Sequence, residues 1–159
     1  MEVELRPVTP GDRDLLLAVY ASTRADELAA VPWTDEDKDT FVRMQFEAQD
    51  RHYSAHFPDA RHDVVVVDGR PAGRLWVDRR PDEIRILDLA LLPEARGAGV
   101  GTRLLRDLIE EGERDGRVVR LHVEDGNPAR RLYDRLGFTP AGRTGAHLMM
   151  EHRCATSQP

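Results

Sequence analysis

The stretch Leu89-Ala-Leu-Leu-Pro-Glu-Ala-Arg-Gly-Ala-Gly-Val-Gly-Thr-Arg-Leu-Leu105 constrains this chain more than any other. An apolar run of strand character stops at Pro93, and the chain turns through Gly97, Gly99 and Gly101 into an amphipathic helix. Residues without side chains let backbone N–H groups converge on an anion, and the helix that starts there adds the positive end of its dipole. The turn predicts a ligand that carries phosphate. Two familiar phosphate loops do not fit. A Walker-type loop needs a lysine just after its glycines, and Lys38 is the only lysine in the chain. A dinucleotide fingerprint needs a third glycine where Thr102 stands, and it belongs in a first βαβ unit, not in mid-chain. What remains is Arg-x-x-Gly-x-Gly, running from Arg96 to Gly101.

Around this turn the hydrophobic period changes along the chain. A strand near Val3 to Val8 precedes the break Thr9-Pro-Gly-Asp12, after which Leu15, Leu16, Val19 and Tyr20 recur at helical spacing. A second helix is predicted from about Thr34 to Asp50, with Thr34 and Asp37 as a capping pair and Phe41, Met44 and Ala48 on one face. Three strands follow: Val64 to Val67, Gly73 to Val77 and Ile84 to Leu92, with Asp68-Gly69 as the first turn. Short connections make this meander antiparallel. The helix from Gly99 buries Val100, Leu104, Leu105 and Leu108 and closes at Gly116. A strand Val118 to Val123 comes next, then a helix capped by Asn127 with Pro128 at its first position and Gly137 past its end, then two short strands. A meander joined to a strand–helix–strand crossover yields an α/β (α+β) fold, a mixed sheet covered by helices on both faces.

Composition limits the function. With 159 residues, 40% of them apolar, residues 1–153 suit a single domain, followed by a polar tail at 154–159. The start Met-Glu-Val-Glu-Leu-Arg lacks the basic region and long apolar run of a signal peptide, which predicts a cytoplasmic protein with no membrane partner. Cys154 is the single cysteine, so neither an intrachain disulfide nor a thiolate-rich metal site is expected. The net charge of −6 argues against nucleic acid as the main partner. Residues 1–95 hold 12 basic and 20 acidic side chains, net −8, and residues 96–159 hold 11 and 9, net +2. The half with the glycine turn repels a polyanion less, and the acidic half tolerates a cationic amine; solvated faces explain the same numbers.

The pattern Arg96 to Gly101, preceded by Leu-Leu-Pro-Glu and followed downstream by Asn127-Pro-Ala-Arg-Arg-Leu-Tyr-Asp-Arg-Leu-Gly-Phe138, resembles the GNAT (GCN5-related N-acetyltransferase) family. Residues 84 to 138 match in order and spacing; Asn127 and Tyr133 stand six residues apart where many relatives have seven. The resemblance implies a GNAT-type fold, a mixed and mostly antiparallel sheet of about seven strands with about four helices. It implies acetyl-CoA as acyl donor, no metal, and a small-molecule or peptide amine as acceptor, with a homodimer left open. Arg96, Gly97, Ala98, Gly99, Val100, Gly101 and Thr102 then hold the pyrophosphate. The main chain of Leu91 pairs with the pantetheine arm, and Asn127 closes the other side.

Acetyl transfer to an amine needs a held thioester, an amine without its extra proton, and an acid for the departing thiolate. Tyr133 shares a helical face with Ala129, Leu132 and Leu136, so it reads either as a packed core tyrosine or, by family position, as that acid. Asp88 is a carboxylate in an otherwise apolar strand. It reads equally as a base raised by desolvation or as a structural group accepting backbone hydrogen bonds. Arg85 stands where some relatives carry a catalytic glutamate, and His147 and Glu83 are lesser candidates. The acceptor pocket is expected from the first two helices and their joint, at Arg24, Trp33 and Tyr53, with Tyr20, His56 and Phe57 nearby. Aromatic rings suit a cationic amine, and Arg24 suits a carboxylate. The competing class is an idle GNAT-like domain that senses acetyl-CoA.

Overall fold

The apolar runs and turn residues resolve into the element order β1 (Val3–Pro7), α1 (Arg13–Ala29), α2 (Asp35–His56), β2 (Arg61–Val67), β3 (Arg70–Arg79), β4 (Glu83–Leu91), α3 (Val100–Asp115), β5 (Val118–Glu124), α4 (Arg130–Arg135), β6 (Thr139–Thr144) and β7 (His147–His152). The structure is a computed structural model that describes residues 1–153; the tail read at 154–159, with Cys154, lies outside the described residues. The strands form one mixed seven-stranded sheet in the order β1-β2-β3-β4-β5-β7-β6, in which β4 and β5 run parallel. Among the described residues, packing gathers Met1–Trp76 with Asp88–Arg96 into one unit and Val77–Leu87 with those from Gly97 on into another.

In the first unit, β1 runs antiparallel to β2, from Val3 opposite Val67 to Pro7 opposite Asp63. Leu16, Tyr20 and Leu28 of α1 pack with Val42 and Phe46 of α2 into one apolar cluster. Thr34 caps α2 by accepting from the Asp37 amide at 3.1 Å, as its sequence spacing predicts. The helix continues six residues past the predicted end, to His56. Its buried stripe also differs from the expected one. Val42 and Phe46 are inside, whereas Met44 is 62% exposed and Ala48 faces solvent. Phe41, partly buried, packs against that cluster as expected, and the stripe continues through Val42 and Phe46, not through Met44 and Ala48.

In the second unit, α3 buries Val100, Leu104, Leu105, Leu108 and Ile109 and ends at Gly116, close to its reading from sequence. Leu105 is fully buried, so Leu105→Ala costs roughly 2–5 kcal/mol. The β4–β5 ladder runs from Glu83 opposite Val118 to Ile86 opposite Leu121, and β5 continues antiparallel to β7. The last helix is shorter than expected. Asn127 accepts from the Ala129 amide at 2.9 Å, but the helix begins only at Arg130, so Pro128 lies in the turn before it. The tight Asn127 turn uses residues that the Asn127 cap and Pro128 signals place in a first helical turn.

One titration follows from this packing. The His62 ring on β2 stacks on Trp76 of β3, with centroids 4.0 Å apart and planes 2° from parallel. Burial, helped by the nearby Arg74 charge, pushes the His62 imidazole down from its ordinary 6.5 to about 4. A depressed folded-state value means that the stabilising contribution is complete above the unfolded value and is lost as pH falls through the folded one. Melting temperature is therefore expected to fall between pH 6.5 and pH 4 more steeply in the wild type than in His62→Phe, which keeps the ring stack. Parallel curves for the two proteins would contradict this.

Candidate functional site

The glycine turn assembles as its composition requires. Gly97 and Gly99 take left-handed backbone angles, φ 78° and 85°, a region that L side chains rarely adopt. Gly99 is the N-cap of α3, and no side chain caps the helix. The first rung is Arg103 N–H to Gly99 C=O at 3.0 Å, so the amides of Val100, Gly101 and Thr102 have no partner inside the helix. No acidic residue stands in this first turn to repel an anion. A 16-residue helix whose first-turn amides lack an acceptor within the helix, behind an exposed glycine turn, fits a pyrophosphate. Gly101 is different from Gly99. Its backbone is helical, and a Cβ there meets only Leu132 of α4 at 3.7 Å, which also places α4 beside the first turn of α3.

On α4, Tyr133 is half-buried and meets Phe138 edge-on with ring centroids 5.9 Å apart. Elsewhere in the second unit, Glu83 is only 4% exposed and is claimed by Arg120 at 2.5 Å and Arg85 at 3.3 Å. His147 lies 3.6 Å from Glu124. Sequence reasoning passed over His122 of β5. Partial burial, with Arg85 and His147 nearby, holds its imidazole below the ordinary histidine value, which favours the neutral ring.

The end of β4 belongs to the first unit. Here Gly73 of β3 permits a close approach: a Cβ on it would lie 2.2 Å from the Ala90 carbonyl oxygen and 2.9 Å from the Leu91 side chain. Arg96 donates from Nε to the Leu91 carbonyl at 3.0 Å and from Nη2 to Ser22 Oγ at 3.1 Å, which ties the expected pyrophosphate arginine to the expected pantetheine strand. Asp88 accepts a bond at Oδ2 from Arg74 Nε at 2.6 Å, and its side chain is 23% exposed. The partner is a guanidinium, where the sequence had suggested either an apolar setting or backbone amides. Neither Arg74 nor Gly73 was singled out from sequence. A charged residue inside an apolar strand and a glycine next to it were the available signals.

The expected acceptor residues occupy three different settings. Arg24 donates to the Tyr20 hydroxyl at 3.2 Å and pairs with Glu27 at 3.0 Å. Trp33, 43% exposed, meets Phe41 edge-on. Tyr53 packs edge-on against Trp76 at 5.1 Å. Near it, a cavity of about 310 Å³ is lined by Asp50, Ser54, Phe57, His62 and Trp76, among others.

With this geometry in place, comparison with known proteins decides the family. The profile of the Acetyltransferase (GNAT) family matches residues 19–138. The chain belongs to the GNAT family of acetyltransferases. It is 34% identical over 113 residues to a putative [ribosomal protein bS18]-alanine N-acetyltransferase of Bacillus subtilis, covering 70% of this chain and 67% of that one. It is 33% identical over 141 residues to the mycothiol acetyltransferase of Thermomonospora curvata, covering 86% of this chain but only 44% of that longer protein. Among solved structures, the PaiA N-acetyltransferase of Thermoplasma acidophilum in complex with coenzyme A superimposes with a TM-score of 0.72 at 20% identity, over 96% of this chain and 99% of that one. That likeness concerns the fold. As a GNAT enzyme the protein is an acyltransferase, and its β4 is the strand pressed against Gly73. Gly73→Ala forces that contact apart and is expected to cost roughly 1–3 kcal/mol, as overpacking does, seen as a melting temperature several degrees lower. A wild-type melt would show that the approach is looser than the structure has it.

Proposed function

We propose that this GNAT enzyme transfers an acetyl group from acetyl-CoA directly to a primary amine of a small molecule or peptide. The observation that carries the reading is the uncapped N-terminus of α3, whose free amides follow two left-handed glycines. The first-turn amides and Arg96 hold the pyrophosphate, with the Leu91 main chain and Asn127 along the pantetheine arm. Bound acetyl-CoA supplies an activated thioester with a thiolate as leaving group. Asp88, directly or through a water, takes the proton released as the amine nitrogen bonds the carbonyl carbon. The Tyr133 hydroxyl gives its proton to the sulfur as the C–S bond breaks. The names of the relatives suggest which acceptors to try first, beginning with a peptide that starts with alanine.

Two measurements test this reading. Coenzyme A at about 100 times its dissociation constant should raise stability by roughly 2.7 kcal/mol in a thermal melt. Gly101→Glu, which the helical backbone accommodates, should fold and lose that shift. No shift in the wild type would remove acetyl-CoA as the proposed donor. Thiol release is then followed with an alanine-initiated peptide, free amino acids and polyamines. Binding without turnover on any amine would favour a sensor.

Tyr133→Phe keeps the ring against Phe138 and is expected to lower kcat about 10- to 1,000-fold while coenzyme A affinity stays near wild type. Wild-type turnover in this variant would leave Tyr133 as a packing residue.

A further inference from the structure

Arg74 stands in the middle of β3 and is 1% exposed, which makes it the largest fully buried side chain among the described residues. A buried guanidinium is expensive unless its donors are met, and replacing a buried ion pair with apolar residues is often neutral or stabilising. Stability alone therefore does not account for Arg74. Its bonds are specific. Nε donates to Asp88 Oδ2 at 2.6 Å, and Nη2 donates to Gln49 Oε1 of α2. Nη1 is buried without a partner. The guanidinium carbon lies 5.9 Å from the centres of both the Phe46 and the Trp76 rings, so aromatic walls restrict where the fork can turn.

The pair is asymmetric. The cation is sealed, at 1% side-chain exposure, while the Asp88 side chain is 23% exposed. With Oδ2 held, Oδ1 is the oxygen left to accept a hydrogen bond from outside the pair. Next to Arg74, Gly73 presses on Ala90 and Leu91, so the backbone that carries the guanidinium is itself fixed against β4.

We propose that Arg74 is the positioning residue that fixes the Asp88 carboxylate to present Oδ1 to the acceptor amine, an inference that rests on the reading of Asp88 given above. Arg74 does not touch the reacting atoms. It sets the rotamer of the group that does, and small misplacements of such a group cost about 10²-fold in rate.

The test uses the most active amine among the alanine-initiated peptide, amino acids and polyamines. Arg74→Ala should lower kcat/KM for that amine about 10- to 100-fold and leave coenzyme A affinity near wild type. Dilute guanidinium chloride should restore part of the rate, because the free cation fits the space vacated. In an Asp88→Asn background, Arg74→Ala should cost little more, since both changes remove one function. Should Arg74→Ala not fold, Arg74→Lys decides: it keeps a buried cation but lacks the fork, and the same loss in kcat/KM with unchanged cofactor affinity is expected. A folded Arg74 variant at wild-type turnover, or losses that add in the double variant, would overturn the positioning role while Asp88→Asn stays impaired. Wild-type turnover in Asp88→Asn would overturn the reading of Asp88 itself, and the positioning role with it.

Discussion

The structure depends on a helix that begins without a cap. Most helix N-termini satisfy their first amides with a serine, threonine, aspartate or asparagine side chain, and α2 of this protein does so through Thr34. At α3 the preceding residue is Gly99 in a left-handed conformation, which supplies no side chain at all. The amides of Val100, Gly101 and Thr102 are left to whatever anion arrives. The helix tolerates this because its other face is anchored by Val100, Leu104, Leu105 and Leu108, all buried. Packing secures the helix, and the open end is then free to bind.

The first unit follows the opposite logic, with charge sealed where apolar residues would pack. Arg74, Asp88 and Gln49 form a polar knot among Phe46 and Trp76, and the knot fixes a carboxylate at one particular orientation. Such an arrangement gives up packing energy in exchange for geometry. Arg96 adds a second tie, holding the Leu91 carbonyl and the Ser22 hydroxyl. A cofactor that pairs with the Leu91 main chain must share that carbonyl with the arginine or displace it.

Much of this was legible in the residues themselves. Glycine spacing announced the turn, because Gly97 and Gly99 occupy backbone angles that few other residues reach, and the strong apolar face of α3 made that helix readable to within a residue or two. Elements with weaker patterns were read less well. In α2, apolar residues fall on several faces, so the sequence period admits Met44 as an inward residue, whereas Val42 and Phe46 do the packing. In α4, Asn127, Pro128 and Ala129 favour helix initiation locally, yet the Asn127 side chain closes a turn first and the helix shortens. Tertiary polar pairing left the least trace. Nothing in the spacing of Gln49, Arg74 and Asp88 reveals that they meet, because they come from three elements whose order in the sheet is set by chain topology.

In the proposed function, the backbone amides at the start of α3 bind the cofactor's phosphates. Amide-resolved NMR during a titration with coenzyme A tests it most directly. The account predicts that the largest downfield shifts fall on Gly99, Val100, Gly101 and Thr102, as expected for N–H groups that acquire a charged acceptor. Binding that leaves these four amides unmoved while others shift would contradict it.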